Sequence, residues 1–187
     1  MRNLLAVCSA ILLSVVVLAP RSIGQADKSQ RPSPAAQAVF HFADGKSVTA
    51  DYSSPRAKGR KIFGGLVPYG QVWRAGANEA TTITTDTALT VGGKTVPAGT
   101  YTLFTIPNAD RWTLIISKKT KNDKGGPLWG TDYPGEGQDL ARTDMKVSSL
   151  PAPVENFTIA LDKVGNGALL RMDWETTRAS VEISEAK

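Results

Sequence analysis

The stretch "TVPAGTYTLFTIPNADRWTLIIS" (Thr95–Ser117) decides the fold class. Trp112, Leu114 and Ile116 recur at every second position of its last segment. That period puts alternate side chains on opposite faces of an extended chain, as expected of a strand with one buried face. "NAD" (Asn108–Asp110) supplies a turn between two β-rich runs.

The pattern continues outward in both directions. Upstream, "TTITTDTALTV" (Thr81–Val91) is dense in β-branched residues, whose stiff side chains suit a pleated surface. Gly92-Gly93 then turns the chain. In "VFHFADGKSVTADYS" (Val39–Ser53) two short strands flank Asp44-Gly45, a strong hairpin signal because glycine accepts positive φ. Downstream, Phe157, Ile159 and Leu161 alternate, "GNG" (Gly165–Gly167) turns, and Leu170, Met172 and Trp174 alternate again. Val181 and Ile183 close the series. No segment carries a long 3.6-residue apolar period. The reading is all-β: an antiparallel β-sandwich, jelly-roll or immunoglobulin-like, of about nine strands.

Two stretches break this rhythm, Ser53–Ala80 and Lys118–Asp144. Loops of that length in a compact domain are uncommon and are usually functional or disordered. The first holds Ile62, Phe63, Leu66, Val67, Tyr69, Val72 and Trp73, too apolar for a solvated linker, and should fold onto the sheets. The second is polar and glycine-rich, with Trp129 and Tyr133 as anchors and a short helical turn expected near "GQDLART" (Gly137–Thr143).

The N-terminus reads as a targeting signal. Arg2 precedes the apolar run "LLAVCSAILLSVVVLA", and "GQA" (Gly24–Ala26) offers small residues for a peptidase. Cleavage is expected after Ala26, giving a signal peptide over 1–26, a flexible leader over 27–37 and one domain over 38–187, secreted or periplasmic. Cleavage would remove Cys8, the sole cysteine, and with it any disulfide or thiol nucleophile. It would also lower the net charge from +5 to +3, because Arg2 and Arg21 leave without an acid. Such mild, dispersed basicity argues against nucleic acid as a partner. No membrane span is expected after cleavage.

Familiar chemistries find little support. A zinc site wants three or four Cys, His or carboxylate ligands, and His41 is the sole histidine, so no metal and no cofactor are expected. A serine triad would need the same His41, and no G-x-S-x-G elbow is present. "GGKT" (Gly92–Thr95) sits in a hairpin and not before a helix, which makes it a turn. Asn156-Phe-Thr matches a glycosylation sequon inside a strand. Asp132, Glu136 and Asp139 carry oxygen ligands at no recognised calcium spacing.

"VWRAGANEATTITTD" (Val72–Asp86) is the best site candidate. Trp73 offers an apolar face, Arg74 a planar fork of donors, Asn78 an amide and Glu79 a carboxylate. Arg56 and Arg60 lie on the same excursion and extend the candidate to an anionic pocket. The opposing reading is fastening: Arg74 paired with Glu79, Asn78 bonded to the backbone, Trp73 plugging the core.

The motifs "YSSPRAKGRKIFG" (Tyr52–Gly64) and "WRAGANEAT" (Trp73–Thr81) resemble those of a bacterial family, DUF2911, and "MDWETTRASVEI" (Met172–Ile183) is similar to its closing strand pair. The resemblance runs from about Phe40 to Ile183. It implies an exported single domain and supplies no catalytic residues.

Three classes follow. The favoured one is a binding module for a small ligand or glycan at Arg56, Arg60, Trp73, Arg74, Asn78 and Glu79. The second is a hydrolase-type enzyme using Glu79 with a second acid such as Asp51, since such chemistry needs two carboxylates in one cleft. The third is a structural domain of the cell envelope with a protein partner, which requires a flat surface over the same stretch.

Overall fold

The computed structural model describes residues 30–130 and 132–187. The expected signal peptide and its cleavage point lie outside them. Nine strands form: β1 Ala35–His41, β2 Ser47–Ser53, β3 Thr82–Thr85, β4 Leu89–Val91, β5 Lys94–Val96, β6 Gly99–Ile106, β7 Arg111–Ser117, β8 Asp139–Val164 and β9 Gly167–Glu185. All neighbours are antiparallel in one open sheet of order β1-β2-β3-β6-β7-β8-β9-β4-β5. The chain is all-β, as its alternation predicts.

The turns sit where glycine permits them. Phe42 N donates to Lys46 O at 2.8 Å, closing the β1–β2 hairpin around Gly45 at φ 87°. Gly92-Gly93 joins β4 to β5, and Gly165 opens the turn between β8 and β9.

The long β8–β9 hairpin makes the fold layered. Its ladder slips between Ser149 and Val154 and again before Thr158, and Glu175, opposite Val154, lies at φ 53°. Extra residues on one strand of a pair bend it. Beyond this bend the distal half reaches the end of β2: Ser54 Oγ donates to Phe157 O at 2.7 Å and Phe157 N to Pro55 O at 2.9 Å. The tip returns over the hairpin's own base, so that a Cβ on Gly167 would collide with Ile183 O. The sheet therefore covers itself, consistent with the expected sandwich, while β1 and β5 remain its two edges.

One continuous core results. Val48 and Ala50 of β2, Leu103 of β6, Trp112 and Leu114 of β7, and Phe157 and Trp174 of the hairpin are buried together. Fully burying each large side chain contributes about 1.5–3 kcal/mol. The first excursion does fold onto this core, through Ile62, Phe63 and Val67. On the opposite face, Phe104 and Ile115 bury against Ala80 and Leu128, with Tyr133 alongside.

Several boundaries differ from the sequence reading. β1 begins at Ala35, inside the stretch taken as leader, because Ala35–Gln37 pair with Asp51–Ser53. The second excursion ends at Gln138, since Asp139–Asp144 belong to β8 and pair with β7. The helical turn is limited to a 3-10 turn over Glu136–Gln138. Of the two expected anchors, Tyr133 packs on Phe104 with centroids 5.2 Å apart, whereas Trp129 is 46% exposed.

Candidate functional site

Trp73 sits alongside β6, where its N–H donates to Thr105 O and Thr105 N–H donates to Trp73 O, both at 2.7 Å. Thr81 resumes the same alignment by accepting from Leu103 N at 2.8 Å. The residues between, "RAGANEA" (Arg74–Ala80), bulge out as a loop. Ala75, Gly76 and Asn78 all have positive φ, a costly conformation for the two with side chains. The loop holds because Thr81 Oγ1 donates to Ala75 O at 2.7 Å and Ala77 N to Ser53 O at 3.2 Å.

Each candidate residue then takes a definite place. Trp73 points into the core: Phe157 lies 5.1 Å from its ring, Trp174 stacks at 6.0 Å with 15° between planes, and Phe63 and Trp112 meet it edge-on. The ring is packed against the core as a plug would be, yet it is only partly buried. Asn78 Nδ2 donates to Ser33 O at 3.0 Å. Both oxygens of Glu79 accept from Arg31 Nη1, at 3.0 and 2.8 Å. Arg56 Nη1 donates to Ser54 O and Oγ, both at 2.9 Å. These three are fastened, although Glu79 is held by Arg31 and not by the expected Arg74.

Arg74 and Arg60 are different. The side chain of Arg74 makes no hydrogen bond or ion pair among the described residues, and its Nε is shut away from solvent with no acceptor. Among the described residues the other buried side-chain polar atoms without a partner are Thr105 Oγ1 and Trp112 Nε1, so Arg74 is the charged one among them. Desolvation lowers its pKa, with no neighbouring anion to restore it. A buried guanidinium donor with no acceptor in the surrounding protein is unusual. Arg60 is held by backbone carbonyls, Nε to Ala57 O at 3.0 Å and Nη2 to Arg56 O at 2.6 Å, which leaves Nη1 uncommitted.

Both arginines line a cleft of about 350 Å³ beneath the first excursion. Its walls include Leu66, Val67, Pro68 and Val72, with Trp73 and Trp174 contributing. No acid is among its described lining residues. The sequence reading missed this apolar wall and the role of Trp174, which alternation presents only as a core residue. It also missed Arg31, which lies in the polar segment before the first strand.

Other concavities are built differently. A cleft of about 500 Å³ contains Glu155 and Glu175, but each accepts a backbone N–H, from Lys58 at 2.9 Å and from Ile62 at 3.3 Å, and so pins the excursion. A groove of about 430 Å³ beneath the hairpin tip is lined largely by glycines and strand residues. A third, of about 380 Å³, brings Asp51 and Glu79 together, with Asp51 also accepting from Gln37 Nε2 at 2.7 Å. Asp139 and Glu136, considered for calcium, instead bond Arg142 at 2.7 and 3.1 Å. No cluster of three metal-ligating side chains occurs among the described residues.

A family model described as a protein of unknown function (DUF2911) matches residues 33–183. Neither a curated protein nor a solved structure matches the chain.

Proposed function

Since the chain belongs to the DUF2911 family, whose description assigns no function, its role has to come from its own site, and we propose that it is a binding domain for a small anionic ligand. The observation that carries this reading is that Arg74, whose side chain has no partner among the described residues, is one of two arginines lining a cleft with no acid in its described lining. An arginine fork binds carboxylate or phosphate oxygens in pairs, and more strongly where water is partly excluded. A glycan is less well served, because the Trp73 indole that would stack on a sugar already packs against Phe157 and Trp174.

The domain acts outside the cytoplasm, in the periplasm or beyond the cell. Arg2, the apolar run and Gly24–Ala26 support this. No helix among the described residues is long and apolar enough to cross a membrane.

The test is a titration of carboxylates and inorganic phosphate into the purified protein, followed by tryptophan fluorescence. Saturable changes in the wild type that vanish in Arg74→Gln support the reading. Identical titrations for the two proteins refute it.

A second reading, acid/base hydrolysis by Asp51 and Glu79, is favoured by their shared groove. It competes with the double hydrogen bond from Arg31, which engages both carboxylate oxygens of Glu79. An envelope scaffold without a small-molecule site fits less well, because a cleft and not a flat surface borders the Trp73–Ala77 segment.

A further inference from the structure

We infer that the ligand is an amphipathic organic acid, a single oxoanion carried on an apolar body, with about a dozen heavy atoms in all. This rests on the anion-binding reading and adds the chemistry of the rest of the molecule.

The apolar half of the argument begins with "KIFGGLVPYG" (Lys61–Gly70). Ile62, Phe63 and Val67 are buried in the core, while Leu66 between them is 48% exposed. A single exposed leucine is ordinary, but the backbone around this one is locked. Gly65 N donates to Ile62 O at 3.1 Å, Leu66 N to Lys61 O at 3.1 Å and Gly64 N to Val67 O at 2.9 Å. A Cβ on Gly65 would lie 2.5 Å from Lys61 O, and one on Gly64 would lie 2.7 Å from the Tyr69 ring. The two glycines thus permit a turn that no other residue pair would, and the turn fixes Leu66 at the rim of the cleft. Val67, Pro68 and Val72 continue the same wall. An apolar surface held open in this way binds by excluding water from a matching apolar body.

The polar half is one-sided. Arg60 and Arg74 are the charged residues among those described around the cleft, and both are cations. A ligand with an ammonium group would meet them unfavourably, whereas a carboxylate would satisfy the unused donors of Arg74. The volume of about 350 Å³, at roughly 30 Å³ for each water-sized group, sets the size at about a dozen heavy atoms. Bare inorganic anions would leave the apolar wall wet.

The experiment is calorimetric titration of the purified protein with acetate, hexanoate, octanoate and octanamide, repeated on Leu66→Ser and Arg74→Gln. Affinity should rise about fourfold for each added methylene that is buried. Octanamide should bind at least about tenfold more weakly than octanoate, the difference being the charge that Arg74 reads. Leu66→Ser should weaken octanoate about fivefold and leave acetate unchanged. Acetate binding as tightly as octanoate would overturn this inference while leaving the anion site standing. Octanamide binding as tightly as octanoate, or no acid binding at all, would overturn both.

Discussion

The side chain of Arg74 fills the space that a side chain on residue 130 would need: a Cβ on Gly130 would overlap its Nη1, Cζ and Cδ. The two residues lie on different excursions, which are tied together where Ala80 N donates to Leu128 O at 2.8 Å. The glycine therefore sets where the guanidinium rests, without offering it a hydrogen bond.

Gly130→Ala should accordingly displace Arg74. The displaced group is the far end of a flexible chain, so thermal stability should change little. Anion affinity should fall about tenfold, the loss of one charge-assisted contact. Calorimetry on the variant, with its melting curve as control, checks this. An unchanged affinity would show that the resting place of Arg74 is immaterial.

Trp73 and Arg74 should part company in stability measurements. Trp73→Ala removes a ring surrounded by four others and should cost about 3–5 kcal/mol in urea unfolding. Arg74→Gln removes a partly desolvated cation that has no partner, so its unfolding midpoint should stay level or rise. A large loss on Arg74→Gln would mean that the guanidinium is structural.

Glu79→Gln should loosen the segment before β1. The carboxylate and Arg31 are both mostly covered, with side-chain exposures of 16% and 28%, and hydrogen bonds to charged groups contribute about 1.5–3 kcal/mol. Faster proteolysis near Arg31, with ligand affinity intact, is the expected result. If affinity disappeared while the segment stayed protected, the Asp51–Glu79 reading would gain.

Much of this was legible in the sequence, and the rest has physical reasons for being hidden. Alternation marked β7 because Trp112, Leu114 and Ile116 share the core face. It was blurred at Ile115, which is buried in the smaller cluster on the other face. The first turns of β8 were missed because Asp139–Thr143 are half-covered on both faces and show no period. "WRAGANEAT" was recognisable as a dense polar corner, but Arg31, 48 residues from Glu79, decides which residue there is fastened. The sequence left Trp73 open between platform and plug, because it does not show the four rings packed against it. Arg74 was left over only once every other partner had been assigned.

Binding should also be insensitive to pH across the neutral range. Desolvation lowers the Arg74 pKa, but from the strongly basic value of a guanidinium, so the group stays cationic. The folded-state shift is downward for a cation, so burial of its charge disfavours folding below that value and cannot produce a transition near neutrality. Octanoate affinity should be flat from about pH 6 to 9 and should fall only as the ligand's own carboxyl protonates, near the usual carboxylate range. Calorimetry at several pH values checks this, and a midpoint inside that range would contradict it.

The most direct measurement is the NMR signal of the Arg74 Nε–H group, assigned by its loss in Arg74→Gln, followed as octanoate is added. It should move saturably, with the dissociation constant obtained by calorimetry, while the Nε–H signals of Arg56 and Arg142 stay in place. A stationary Arg74 signal under conditions where octanoate binds would contradict the account, because the ligand would then be held by something other than the partly buried guanidinium that has no partner among the described residues.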